Sequence, residues 1–255
     1  MAASLGLILD KSDLKITEIP SQPWFYYGLI LGALFIIMFF IIGTSAQKAG
    51  ITITTVSSKM SVVIPILFSI TYYHVSINSI KIKKIVTAVI AVVLTVYRKR
   101  DRNFNASYIY LPVLLFVGLG LIDIFVKFNQ QEFVGDGEAS FFTATLFAFA
   151  GIIGFIIAGI KKLEMKGFFQ IKTIMGGIIL GTANFGSIYF LILTLNQNFW
   201  DSSIVFGVNN VGIVVFSILI AIFFFKEKPK PINIIGIILA ILSIITLSFH
   251  DKIAL

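Results

Sequence analysis

The chain has no cysteine among its 255 residues, which excludes disulfides, thiolate nucleophiles and cysteine-ligated metals. Its only two histidines, His74 and His250, fall at the ends of apolar stretches and not where a buried base would sit. Charged residues make up 13% of the sequence against 58% hydrophobic, which leaves too little polarity for the two-faced helices of a soluble domain. No glutamate falls inside an apolar stretch, no glycine-rich loop ends in Lys-Ser or Lys-Thr, and no His or carboxylate pair has metal spacing. With no assembled nucleophile, base and orienting group, the chain reads as a non-enzyme with neither cofactor nor metal. MAASLGLILD lacks the basic flank of a secretory signal.

What fills the chain is apolar length. Eight long stretches occupy 24–45, 51–73, 79–97, 107–128, 141–160, 173–195, 202–225 and 232–249. At about 1.5 Å rise per residue, each is long enough to cross a hydrocarbon core of roughly 30 Å as a helix. Barrel strands would alternate over about ten residues, whereas FYYGLILGALFIIMFFII and FSILIAIFFF are continuous runs. The expected fold is all-α, a polytopic transmembrane bundle of eight spans forming a single domain over 1–255. Trp24, Tyr26 and Trp200 stand at span ends, where aromatic side chains anchor at membrane interfaces. Residues 2–9 read as a short helical stub and 10–23 as an irregular joint.

Net charge is +8, yet the cations sit in the joints and no nucleic-acid motif accompanies them. Headgroups and positive-inside bias account for the charge, so the expected surroundings are a lipid bilayer and not nucleic acid. The joint at 98–105 is the most basic and divides three spans from five, while NQQEFVGDGEAS at 129–140 reads as an acidic solvent loop. Alternate joints carry 12 and 7 Lys or Arg, which favours the first set as cytoplasmic and the C-terminus outside. Sliding the chain by about 151 positions lays 51–97 over 202–248 and sets Lys59 on Asn210, the pattern of a duplicated transporter half.

Lys59 is the charge furthest from an expected interface. Thr54, Ser58, Ser61, Pro65 and Ser69 form a polar stripe beside it on a helical wheel. An ammonium at that depth costs about 2.5 kcal/mol or more, so it should face a polar cavity or a partner; the alternative is a snorkelling lysine with hydroxyls bonded back to the backbone. Asn209 and Asn210 on the seventh span, and Asn184 on the sixth, are either interhelical hydrogen bonders or substrate contacts. Gly28, Gly32, Gly177 and Gly181 read as close-packing positions. Asp123 either pairs with Lys127 one turn later or serves as a proton-coupling residue.

The run WFYYGLILGALFIIMFFIIGTSAQKAGITITTVSSKMSVVIPILFSI, with FGVNNVGIVVFSILIAIFFFKEKPKPINIIGIILAILSIITL, resembles the drug/metabolite transporter superfamily, EamA-like type. Phe225, Lys226, Glu227 and Lys228 in a joint, Gly236 in the last span, and Gly118, Gly120 and Lys127 in the fourth carry the likeness. The resemblance implies two inverted units around a substrate cavity: a partial first unit of three spans at 24–97 and a complete second of five at 107–249. Two spans before Trp24 would be lacking, with AASLGLIL the last turns of the second. It also implies cytoplasmic termini, against the charge count.

The expected function is a secondary transporter of a small polar or amphipathic metabolite in a bacterial-type inner (plasma) membrane. Its substrate site would be Lys59, Ser58, Ser61, Asn184, Asn209 and Asn210, with Lys59 drawing an anionic group and Asp123 coupling protons. A homodimer is compatible with such a bundle. The alternative is a truncated, transport-incompetent structural remnant.

Overall fold

The computed structural model describes residues 15–73, 106–108, 110–135, 137–160, 170–223 and 231–248, with scattered positions among 4–8 and 82–94. It is 89% helix, with no strand among the described residues. The helices are α1 (Phe25–Lys48), α2 (Ile51–Met60), α3 (Val63–Tyr72), α4 (Tyr110–Glu132), α5 (Ala139–Ile160), α6 (Ile171–Asn196), α7 (Ser202–Phe223) and α8 (Pro231–Ser248), with 3-10 turns at Ile16–Ser21 and Ala106–Tyr108. Among the described residues, five stretches are long and apolar enough to cross a membrane: α1, Ile53–Tyr72, α4, α5 and α6. The expected third span at 79–97 and the stub at 2–9 lie outside the described residues except at isolated positions. Phe155, Ile179 and Phe216 are each at least 67% exposed, and such apolar surface is what a bilayer would cover.

Two compact units organise the chain, Met1–Phe39 with Phe125–Gln197, and Phe40–Ile124 with Asn198–Leu255. In the first, α5 packs on α6. The α1 backbone comes so close to α5 that a Cβ on Gly32 would lie 2.7 Å from the Leu146 carbonyl oxygen and 2.8 Å from Phe149 Cβ. Trp24 is fully buried there, its indole N–H donating to Glu138 Oε2 at 2.8 Å and its ring meeting Phe142 edge to face. Trp24 is therefore a core residue and not the interfacial anchor its place in the sequence suggests; Tyr26 is the exposed aromatic. The 129–140 segment also differs from the expected solvent loop. Helix α4 continues to Glu132, and Asn129 and Gln130 are buried, because their amides find partners inside the protein.

In the second unit, α1 ends where Gly50 adopts φ 103°, a left-handed conformation open to glycine and strained for other residues. The Gly50 carbonyl then accepts from the Thr54 amide, so α2 starts after a turn of two residues. The hydroxyls of Ser45 and Thr54 meet at 2.7 Å across that turn. The expected helix over 51–73 tightens locally at Ser61 and Val62, both of which keep right-handed helical backbone (φ −54°, ψ −24° and φ −56°, ψ −23°). Pro65 is the cause: it has no N–H to donate to the Ser61 carbonyl and its ring crowds that group. Ile64 N–H bonds the Ser61 carbonyl instead, at 3.0 Å. Beyond that turn, α3 packs on α7, and α7 on α8.

Candidate functional site

Lys59 lies in the last turn of α2, just before the tight turn at Ser61 and Val62. Asp123 is on α4, and both side chains are half-buried. Lys59 lies eight residues past Ile51 and Asp123 nine before Glu132, about 12 and 14 Å of helix rise from those ends. The backbones are close because Gly120, one turn before Asp123, has no side chain. A Cβ at that position would lie 2.6 Å from both Cβ and Cδ1 of Ile64. Gly120 thus lets α4 approach α3, and Pro65 leaves the Ser61 carbonyl to the tighter bond from Ile64.

Lys127, the expected i, i+4 neighbour of Asp123, turns to two glutamines. The Lys127 ammonium donates to Gln130 Oε1 and Gln131 Oε1, both at 2.8 Å, and Gln130 Nε2 donates to Asn196 Oδ1 at 2.8 Å. That network belongs to the first unit, whereas Asp123 and Lys59 belong to the second. Sequence spacing could not reveal it, because both glutamines lie in the segment that reads as loop.

The hydroxyl stripe is real but mostly turned inward. Ser58 donates to the Thr54 carbonyl at 2.8 Å and Ser61 to the Ser58 carbonyl at 2.7 Å, so neither has a proton left to donate to a ligand. Ser69 of the expected stripe, on α3, and Ser203 on α7 are fully buried, and neither hydroxyl has a hydrogen-bond partner among the described residues. Asn209 and Asn210 are half-buried on α7, and no hydrogen bond of either side-chain amide is recorded among the described contacts. Asn184 lies in the first unit and donates to the Leu180 carbonyl at 2.8 Å, back onto its own helix. Gly177 does not pack as expected: a Cβ there would meet nothing within 4 Å. Among the described residues no group of His, Asp and Glu could hold a metal ion.

The described residues are all-helical, with membrane-length apolar helices that carry Lys59 and Asp123 well inside them. No family model matches the chain. A Haemophilus influenzae protein described as uncharacterized is 28% identical over 265 residues, covering 99% of this chain and 86% of that protein. A solved structure, described as the crystal structure of a protein, aligns over 97% of this chain and 82% of its own with a TM-score of 0.68. At 12% identity that likeness shows a shared fold alone.

Proposed function

We propose that the chain is a secondary transporter of the drug/metabolite transporter superfamily, EamA-like type, carrying a small polar or amphipathic metabolite across a bacterial-type inner membrane. One observation carries the reading: Lys59 and Asp123 are ionisable side chains half-buried well inside otherwise apolar helices. Ionisable groups at such depth are expensive and mark substrate or ion pathways far more often than scaffolding. The eight-span count, with partial and complete repeat units at 24–97 and 107–249, belongs to the same proposal.

In this reading α2, the tight turn after it and α4 line the substrate path, and α7 contributes Asn209 and Asn210. Lys59 supplies the donor that Ser58 and Ser61 cannot, and Asp123 is the group able to take up or release a proton as the site changes sides. Alternating access then requires the site to open to one face of the membrane at a time.

Uptake of a defined mixture tests it. Proteoliposomes would be incubated with amino acids, organic acids, amines and nucleosides, rinsed, and their contents read by mass spectrometry. Accumulation of at least one compound above protein-free vesicles, lost in Lys59→Met, is expected. Contents identical to those of protein-free vesicles would favour the transport-incompetent remnant.

A further inference from the structure

We propose that the amide clasp joining the ends of α4 and α6 is a gate, a contact that parts and admits water at that end of the first unit. This rests on the transport reading and adds a moving part to it, built from residues outside the candidate substrate site.

Two kinds of contact hold the end of α4, both within the first unit. Toward α1 the contact is aromatic: the Tyr27 ring stacks on Phe133 with centroids 5.0 Å apart and meets Phe128 at 6.1 Å. Toward α6 it is polar: Gln130, two residues before the end of α4, donates to Asn196, the last residue of α6. Lys127 organises the polar side. Its ammonium holds the Gln130 and Gln131 oxygens, which leaves the Gln130 nitrogen to reach Asn196. Lys127 and Gln130 are only 5% and 8% exposed, so the clasp is shut against solvent.

The two contacts respond differently to water. Parting the rings exposes apolar surface, which water disfavours. Parting the amides exchanges hydrogen bonds within the protein for bonds to water, at a small net cost. Opening also relieves a defect: Asn129 is fully buried and its Oδ1 has no hydrogen-bond partner. Water reaching that turn satisfies it. A contact meant to stay shut gains nothing from amides, because apolar side chains of the same shape hold as well or better. At the ends of two membrane-length helices, amides on one side and rings on the other suit a joint that opens toward α6 and stays fixed to α1.

Asn129→Cys would be the sole thiol of the chain, at a position shielded while the clasp is shut. Its reaction with an aqueous thiol reagent is measured on the full chain in detergent, beside the rate of global unfolding. The expected reaction is at least about tenfold faster than global unfolding allows. Adding Gln130→Leu with Asn196→Leu makes the clasp apolar and should slow the reaction at least about tenfold. Adding Lys127→Met instead releases both glutamines and should speed it; should either change prevent folding, the other decides. Hydrogen exchange of residues 127–134, read with the same changes, replaces the thiol if Asn129→Cys itself fails to fold. Opening no faster than global unfolding, or a rate that neither change moves, would overturn the proposal. Uptake by a protein whose clasp stays shut would overturn it while leaving transport standing. A clasp that opens in a protein without uptake would leave it standing and remove the transport reading.

Discussion

Substituting Gly120 by alanine tests whether α3 and α4 touch as described. The added Cβ would lie 2.6 Å from Ile64 Cβ, 2.6 Å from its Cδ1 and 3.0 Å from its Cγ1. Carbon atoms rest at about 3.5–4.0 Å, so the helices must part by roughly 1 Å. The Ile64 Cβ is fixed to the backbone, and rotating the side chain relieves only the outer contacts. Overpacking of this kind costs about 1–3 kcal/mol. Replacing a helical glycine by alanine returns up to about 1 kcal/mol, which leaves a net loss of about 1–2 kcal/mol. Gly177→Ala is the matched control, because nothing lies within 4 Å of its added Cβ; it should be neutral or stabilising by up to about 1 kcal/mol. Reversible unfolding in mixed detergent micelles measures both. Adding Ile64→Ala should recover part of the loss, since the Cγ1 and Cδ1 contacts disappear and the Cβ contact stays. Gly120→Ala matching Gly177→Ala in stability would refute the close contact of α4 with α3.

Other outcomes follow from single contacts. A double-mutant cycle on Lys59→Met and Asp123→Asn, measured in the same unfolding assay, should give a coupling of about 0.5–3 kcal/mol; zero coupling would mean the two charges do not interact. Trp24→Phe keeps a ring against Phe142 but loses the 2.8 Å indole bond to Glu138, for a loss of about 1.5–3 kcal/mol. Equal stability of Trp24→Phe and wild type would place Glu138 elsewhere. Gly50→Ala forces an alanine to φ 103°, at about 1–3 kcal/mol, and limited proteolysis between α1 and α2 should accelerate.

The all-helical class and the long apolar helices were legible because the bilayer imposes one solution on continuous apolar runs. Helix boundaries shifted wherever polar residues found partners within the protein. Thr44 bonds back to the Phe40 carbonyl and Ser45 meets Thr54, so α1 runs on to Lys48, and the buried amides of Asn129 and Gln130 carry α4 to Glu132. Lys59 stood out from sequence by depth alone. Asp123 has Lys127 at helical spacing, but that ammonium bonds Gln130 and Gln131, and the approach of α4 to Ile64 is invisible in the spacing. Pro65 was visible as part of a stripe, and its effect on the helix was not drawn from that placement. Hydroxyl direction was equally hidden: the wheel groups Ser58 and Ser61, while their hydrogen bonds turn to the backbone.

The absence of cysteine makes the central claim, access to the Lys59 region from both sides of the membrane, directly measurable. Ser58→Cys would be the sole thiol of the chain, one residue from Lys59. In sealed proteoliposomes of known orientation, an impermeant thiol reagent applied outside or trapped inside reports exposure to each face. A site visited by alternating access should react from both faces, and a saturating transported compound should raise one rate as it lowers the other. Reaction from one face only, or from neither, with rates that no compound shifts, would contradict the account.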